Sequence, residues 1–188
     1  MTDAPTITPT TSVEELRELK GPDLHDLCDA AADAIEVGGG FGWLKPPPRD
    51  VMEAYWRGVL MIPERRLFVG RLDGIIAASA QLVRPPRNNE AQAHSAQLTT
   101  SFVAPWARGH GLAKMITLAV ESAARASGFR VLNLDVRETM GAAIQLYHSL
   151  GYRHFGTHPD YALVEGRYVA GLYFSKRLDE AAETEAAP

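Results

Sequence analysis

Hydrophobic positions recur at helical spacing in the first third of the chain and at strand spacing immediately after it. Leu24, Leu27, Cys28, Ala31 and Ile35 share one helical face, so the spacing predicts an amphipathic helix of about three turns or more. The stretch before it, 13–19, alternates in part and reads as a first strand, although its Glu and Leu content suits a helix equally. Gly21-Pro22-Asp23 separates the two. Gly38-Gly39-Gly40 ends the helix, and Pro46-Pro47-Pro48 makes a rigid connector. Val51, Tyr55, Val59 and Ile62 then mark a second amphipathic helix.

From Arg66 the repeat becomes that of strands. Segments 67–72 and 75–83 flank Asp73-Gly74, a two-residue hairpin signal. A loop at 85–89 leads to a long strand at 93–103, a helix at 112–127, a strand at 131–137 and a helix at 142–150. Two last strands, 152–163 and 168–177, join near Glu165-Gly166. No internal repeat is present. Mixed in this order, the elements predict an α/β or α+β domain built on a mixed sheet.

Composition narrows the class. The 188 residues suit one domain, and 46% hydrophobic with 22% charged residues is ordinary for a soluble globular chain. Against 23 Asp+Glu stand 19 Lys+Arg, a net charge of -4, which argues against nucleic acid as a partner. Cys28 is the lone cysteine, so no intramolecular disulfide can form and a cytoplasmic location is expected. No apolar run approaches the length that spans a bilayer, so no membrane partner is expected. Residues 1–12 are rich in Thr and Pro without the pattern of a signal peptide, and 179–188 are acidic and Ala-rich. Both are expected to be disordered tails around a single domain at 13–178.

The sharpest local feature is Arg108-Gly109-His110-Gly111-Leu112-Ala113, between a strand and a helix. Leu112, Met115, Ile116, Ala119, Val120 and Ala123 make an apolar stripe, and Gly128 supplies the stop. The glycines therefore open a helix whose other face is buried. Such a turn lets backbone approach a ligand closely, and the unpaired first N–H groups of the helix suit a pyrophosphate. Arg108 adds a charge able to pair with phosphate oxygens. A P-loop would need Gly-Lys-Ser/Thr where Ala113-Lys114-Met115 stands, and a dinucleotide fingerprint would need a small residue in place of Lys114. On this stretch alone, a turn with no ligand reads equally well.

Downstream residues tip that balance. Arg108-x-x-Gly111-x-Ala113 resembles the Arg/Gln-x-x-Gly-x-Gly/Ala acetyl-CoA motif of the GNAT N-acetyltransferase superfamily. Ala143-Ile144-Gln145-Leu146-Tyr147-His148-Ser149-Leu150-Gly151-Tyr152 resembles that family's Ala-Ile-x-Leu-Tyr-x-x-Leu-Gly-Phe/Tyr signature. Order and spacing agree over roughly residues 98–153. The resemblance implies a largely antiparallel central sheet of about six or seven strands, helices on both faces, and a splayed parallel pair formed by 93–103 and 131–137. It implies acetyl-CoA as co-substrate, with pantetheine bonded near Phe102 and Val103 and the pyrophosphate on the N–H groups of Gly109, His110, Gly111, Leu112, Ala113 and Lys114. One departure is Met140, where relatives commonly carry an Asn that contacts the cofactor.

The implied chemistry is attack of an amine on a thioester. A lysine-like amine has a reference pKa near 10.4 and must lose a proton first, and the leaving thiolate is helped by an acid. Tyr147 is the candidate acid, since Ala143, Tyr147 and Leu150 share a helical face. Asp135 is a candidate base: Asn133, Asp135 and Arg137 form a polar face on a central strand, which either lines the cleft or closes into a buried network. His94 is a weaker candidate base, and Glu90 a weaker one still. Cys28 reads as a buried small residue, and His148, His154 and His158 lack metal-ligand spacing, so no metal is expected. Trp43, Tyr55 and Trp56 suit core packing better than an acceptor wall, and Tyr161, Glu165 and Tyr173 are further acceptor-side candidates. The expected partner is a small-molecule amine, with a non-catalytic acyl-CoA-binding module and a protein lysine or N-terminal acetyltransferase as the alternatives. A homodimer is left open.

Overall fold

The computed structural model describes residues 8–39 and 41–179. Along the chain run β1 (Thr11–Leu16), α1 (Asp23–Glu36), α2 (Arg49–Met61), β2 (Arg65–Leu72), β3 (Ile75–Val83), β4 (Ser95–Val103), α3 (Leu112–Ala126), β5 (Val131–Arg137), α4 (Gly141–Ser149), β6 (Arg153–Val164) and β7 (Arg167–Arg177). The seven strands form one sheet in the order β1-β2-β3-β4-β5-β7-β6. Only β4 and β5 pair in parallel; every other neighbouring pair is antiparallel. This is the mixed, largely antiparallel sheet with one parallel pair that the resemblance implied.

Two layers of helix cover the sheet. Leu27, Ala31 and Ile35 of α1 and Met52, Trp56 and Val59 of α2 pack with Leu67, Val69, Ile76 and Phe102 on one face. Leu112, Ile116, Val120 and Ala124 of α3 pack with Phe68, Ala78, Leu82, Leu98, Leu132 and Leu134 on the other. β3 lies between both layers, and Ile76 to Leu82 are buried without a break. That is why its sequence shows no alternation. Asp73 (φ 50°) and Gly74 (φ 86°) both take the left-handed conformation that a two-residue hairpin of matching twist requires.

At the sheet edge the ambiguous first segment is a strand. It pairs with β2 along its whole length, and its two glutamates find arginines on that neighbour. Glu15 meets Arg66 at 2.7 Å and Glu14 meets Arg71 at 2.7 Å. The strand begins at Thr11, inside the stretch expected to be a tail, because Thr10 and Asp73 exchange hydrogen bonds of 2.8 Å that tie the chain to the hairpin turn. The rest of the expected tails, residues 1–7 and 180–188, lies outside the described residues. The start of β4 also differs: it begins at Ser95, leaving His94 in the connection before it. There the His94 carbonyl accepts from the N–H groups of Arg130 (2.8 Å) and Val131 (3.2 Å), which sets β4 beside β5.

Two carboxylates are buried, Asp23 and, more deeply, Glu121. Glu121 on α3 is 1% exposed and accepts from Lys176 Nζ at 2.9 and 2.8 Å and from Arg125 at 3.3 Å. Removing the cation would leave the carboxylate buried without its main partner. Lys176→Ala is therefore expected to lower unfolding stability by about 3 kcal/mol, whereas Glu121→Leu with Lys176→Met should stay near wild type. Urea unfolding midpoints check this, and equal losses in both variants would contradict it.

Candidate active site

β4 and β5 are hydrogen-bonded over three residue pairs: Ser95 with Val131, Ala96 with Leu132 and Gln97 with Asn133. Beyond them β4 stays with β3 and turns away from β5. A bulge makes the turn: Gln81 opposes Thr99 and Ser79 opposes Phe102, so Thr100 and Ser101 share one position on β3. Thr100 has φ 53°, a conformation a β-branched residue adopts only under constraint. The fork opens into two cavities of about 540 and 590 Å³, which meet at Gly39, Ser101, Met140, Ala143 and Tyr147.

The larger cavity runs along the end of β4 and over the start of α3. Phe102, Val103, Arg108, Gly109, Gly111, Leu112, Ala113 and Lys114 border it, and Thr139 to Ala143 of the α4 entrance close the far side. His110 is exposed and does not border the cavity. Gly109 (φ 84°) and Gly111 (φ 78°) are left-handed, and a Cβ on either would meet nothing within 4 Å. Glycine is thus required there by the backbone path, and the space above the path is open. α3 carries no acidic residue in its first turn, so its N-terminal partial charge is not cancelled. Pantetheine amides fit the β4 edge that β5 leaves, and a diphosphate fits the helix opening beside Arg108, so these residues suit coenzyme A.

The smaller cavity is walled by different chemistry. Phe41 stacks on Phe102 at 5.2 Å between ring centres and meets Trp43 edge-on at 5.6 Å; Phe41 and Trp43 both face the space. Opposite them stand Asp135, Arg137 and Tyr161. The Tyr161 hydroxyl donates to Asp135 Oδ2. Burial first, and the Asp135 carboxylate with it, push that phenol above its usual range, so it remains a donor. Arg137 Nη2 donates to the Gly38 carbonyl at 2.9 Å, and Asn133, below the fork, donates to Ser95 Oγ at 2.9 Å. The polar face of β5 thus lines the cleft at Asp135 and Arg137, the first of the two readings its sequence allowed.

Tyr147 stands where the cavities join. It is 6% exposed, and its ring packs edge-on against Tyr152 at 5.7 Å. Burial raises its pKa, with a hydrogen bond from Ser101 pulling the other way, so it is protonated at neutral pH.

The remaining sequence candidates lie elsewhere. His94 is exposed at the opposite end of β4 from the fork and borders neither cavity, and Glu90 sits in the short turn before it. A strand start read two residues early had put His94 on the cleft strand. Cys28 is buried, and burial pushes its thiol up to about 11, an unreactive thiol. His148 packs on Phe174, while His154 and His158 bond to Thr157 and to the Asp160 N–H. Trp56 is fully buried and Tyr55 bonds Gln81 at 3.0 Å, so of the three early aromatics only Trp43 faces the cavity. Glu165 forms the β6–β7 turn at φ 48°. Phe41 went unread, although it follows the glycine run directly, and so did Thr139 and the Tyr161–Asp135 contact.

The forked parallel pair and the glycine turn opening α3 leave a cleft that suits an acyl-CoA. The acetyltransferase (GNAT) family model matches residues 24–152. The chain belongs to that family and is an acetyltransferase. It is 73% identical over 128 residues, 68% of this chain and 76% of the relative, to an uncharacterized N-acetyltransferase in the hisH-hisA intergenic region of Azospirillum brasilense. Among solved structures, an N-acetyltransferase from Staphylococcus aureus Mu50 shares the fold with TM-score 0.76 at 20% identity, over 90% of this chain and 99% of that one. The yncA protein of Salmonella typhimurium, solved with its cofactor acetyl-CoA, does so with TM-score 0.72 at 17% identity, over 94% and 99%. No described helix is long and apolar enough to cross a membrane.

Arg108→Ala is expected to weaken acetyl-CoA binding roughly tenfold or more, the worth of a charge-assisted hydrogen bond. Calorimetric titration reads this directly, and an unaltered dissociation constant would remove Arg108 from the phosphate site.

Proposed function

We propose that this protein moves an acetyl group from acetyl-CoA to the primary amine of a small molecule, by direct attack with both substrates bound. The observation that carries the reading is the meeting of two cavities of different chemistry at Tyr147 and Ser101. One is lined by amides and cations for the donor; the other is an aromatic chamber with one carboxylate, Asp135, and one guanidinium, Arg137, whose volume of about 540 Å³ is that of a small-molecule site.

On this reading Gly109, Gly111, Leu112, Ala113 and Lys114 present their N–H groups to the diphosphate while Arg108 adds charge, and the β4 edge at Phe102 and Val103 holds the pantetheine. Thr139, beside Met140 at the mouth of α4, offers a hydroxyl to the same cavity, where relatives commonly use the Asn that Met140 replaces. Bound acetyl-CoA supplies an activated carbonyl.

Asp135 receives the acceptor ammonium. A carboxylate lies far below an amine in basicity, so it takes the proton only in passing and hands it to water. The neutral nitrogen then attacks the thioester carbon, and the new C–N bond forms as the C–S bond breaks; the electron pair leaves on sulfur, and the nitrogen's surplus proton passes to that thiolate, giving amide and free thiol. Tyr147 donates a hydrogen bond to that thiolate. Burial keeps the phenol from ionising, so it remains a donor as the thiolate departs.

Release of free thiol from acetyl-CoA in the presence of primary amines tests the activity. Tyr147→Phe should lower kcat about a hundredfold with little change in the acetyl-CoA dissociation constant; full turnover in that variant would end the acid assignment. His94→Gln should leave both quantities unchanged.

A further inference from the structure

The acceptor chamber holds a feature that the transfer chemistry does not use. β6 loses register with β7 between His158 and Ala162, so that Pro159, Asp160 and Tyr161 together oppose the single residue Ala170. The bulge delivers the Tyr161 ring onto Gly171 of β7. A Cβ at Gly171 would overlap that ring, falling 2.8 Å even from the Tyr161 Cβ. Gly171 has an ordinary backbone conformation, so glycine is needed there for space alone. The ring is held in turn edge-on by Tyr173 at 6.1 Å between centres, and its hydroxyl ends on Asp135 Oδ2. Tyr161 is thus placed by three independent features, and all of them aim one hydrogen bond at one carboxylate.

That carboxylate faces a chamber of mixed character. One carboxylate oxygen receives Tyr161, and lone pairs on the group remain for a second donor. Arg137 lies two residues along the same face of β5 and borders the same space, so a second positive group on the acceptor would meet a like charge. Phe41, Trp43, Leu44 and Leu163 supply flat and apolar surface on the other walls. An ammonium desolvated beside aromatic faces gains further from their ring quadrupoles.

We propose that Tyr161, lodged over Gly171, fixes the Asp135 carboxylate as receptor for a single ammonium group, and that the acceptor is a monocationic primary amine carried on a flat apolar body. This rests on the transferase reading given above. Tyr161 is a positioning residue: it acts through Asp135. Around that carboxylate stand Tyr161, Arg137 of β5, Tyr147 of α4 and Tyr173, its register partner on β7.

The test uses the full chain with acetyl-CoA and four acceptors: 2-phenylethylamine, spermidine, phenylalanine and an alanine-initiated peptide. The expected result is a kcat/KM for 2-phenylethylamine at least about tenfold above the other three. Tyr161→Phe should raise its KM about tenfold with kcat less affected. Gly171→Ala, which pushes the ring off its seat, should reproduce that split, yet add nothing in a Tyr161→Ala background. A preference for spermidine, the amino acid or the peptide overturns the acceptor class, and an unmoved KM in Tyr161→Phe overturns the positioning role. If acetyl-CoA binds by calorimetry but no amine releases thiol, the transferase reading itself fails. Acetylation of the other acceptors alone leaves that reading standing and rejects this one.

Discussion

The parting of β4 from β5 after Gln97 and Asn133 is the constraint on which the rest of the molecule depends. Were the two strands to stay paired, their backbone groups would satisfy each other and no cleft would exist. Each strand can afford to part because its other edge is secured. β4 keeps β3 as far as Val103, and β5 keeps β7 over seven consecutive pairs, from Val131–Arg177 to Arg137–Gly171. The inner edges are therefore ordered backbone that lacks strand partners, and buried backbone groups need partners. An extended ligand with amides of its own meets that need. The bulge at Thr100 concentrates the bend in one left-handed residue, so the fork is set by the strand itself.

Much of this was legible in sequence because it is local. A 3.6-residue repeat read α1, α2 and α3 to within two residues at either end, and Asp73-Gly74 announced its hairpin because few residue pairs tolerate two left-handed positions. The glycine turn before α3 carried its chemistry openly: its phosphate-binding property belongs to consecutive N–H groups and needs no distant partner. Residues 13–19 could not be assigned from their own composition, since Glu14 and Glu15 become strand residues only through Arg71 and Arg66, more than fifty positions away. His94 was misplaced for a related reason. Strand ends are set by pairing, and the pairing that begins β4 is made by the backbone of Arg130 and Val131.

The acceptor side was legible only in outline. The polar alternation of Asn133, Asp135 and Arg137 marked an unusual strand, but its three partners come from β4, from the β6 bulge and from the loop after α1. Nothing in the local pattern links Tyr161 to Asp135, 26 residues apart, or explains why Gly171 must be glycine. Phe41 has no periodic signal either, because it lies in a loop whose course is decided by stacking on Phe102. Local motifs report chemistry carried by backbone; side-chain constellations assembled across a sheet do not write themselves into any one segment.

The net charge of -4 conceals a division that the fork imposes. Arg108, Lys114 and the positive end of α3 lie on one side, and Asp135, with Arg137 and the aromatic walls, lies on the other. The donor is polyanionic and the proposed acceptor is cationic. Left in one open cavity they would pair with each other's binding groups. Separating the sites keeps each charge with its own partner, and it brings the reacting ends together at an uncharged junction that includes Ser101, Ala143 and Tyr147. A neutral phenol suits that junction better than any ionised side chain. It can aid a departing anion without having attracted either substrate beforehand, so its interaction is strongest when the C–S bond breaks, which is the condition for a contact to accelerate the step.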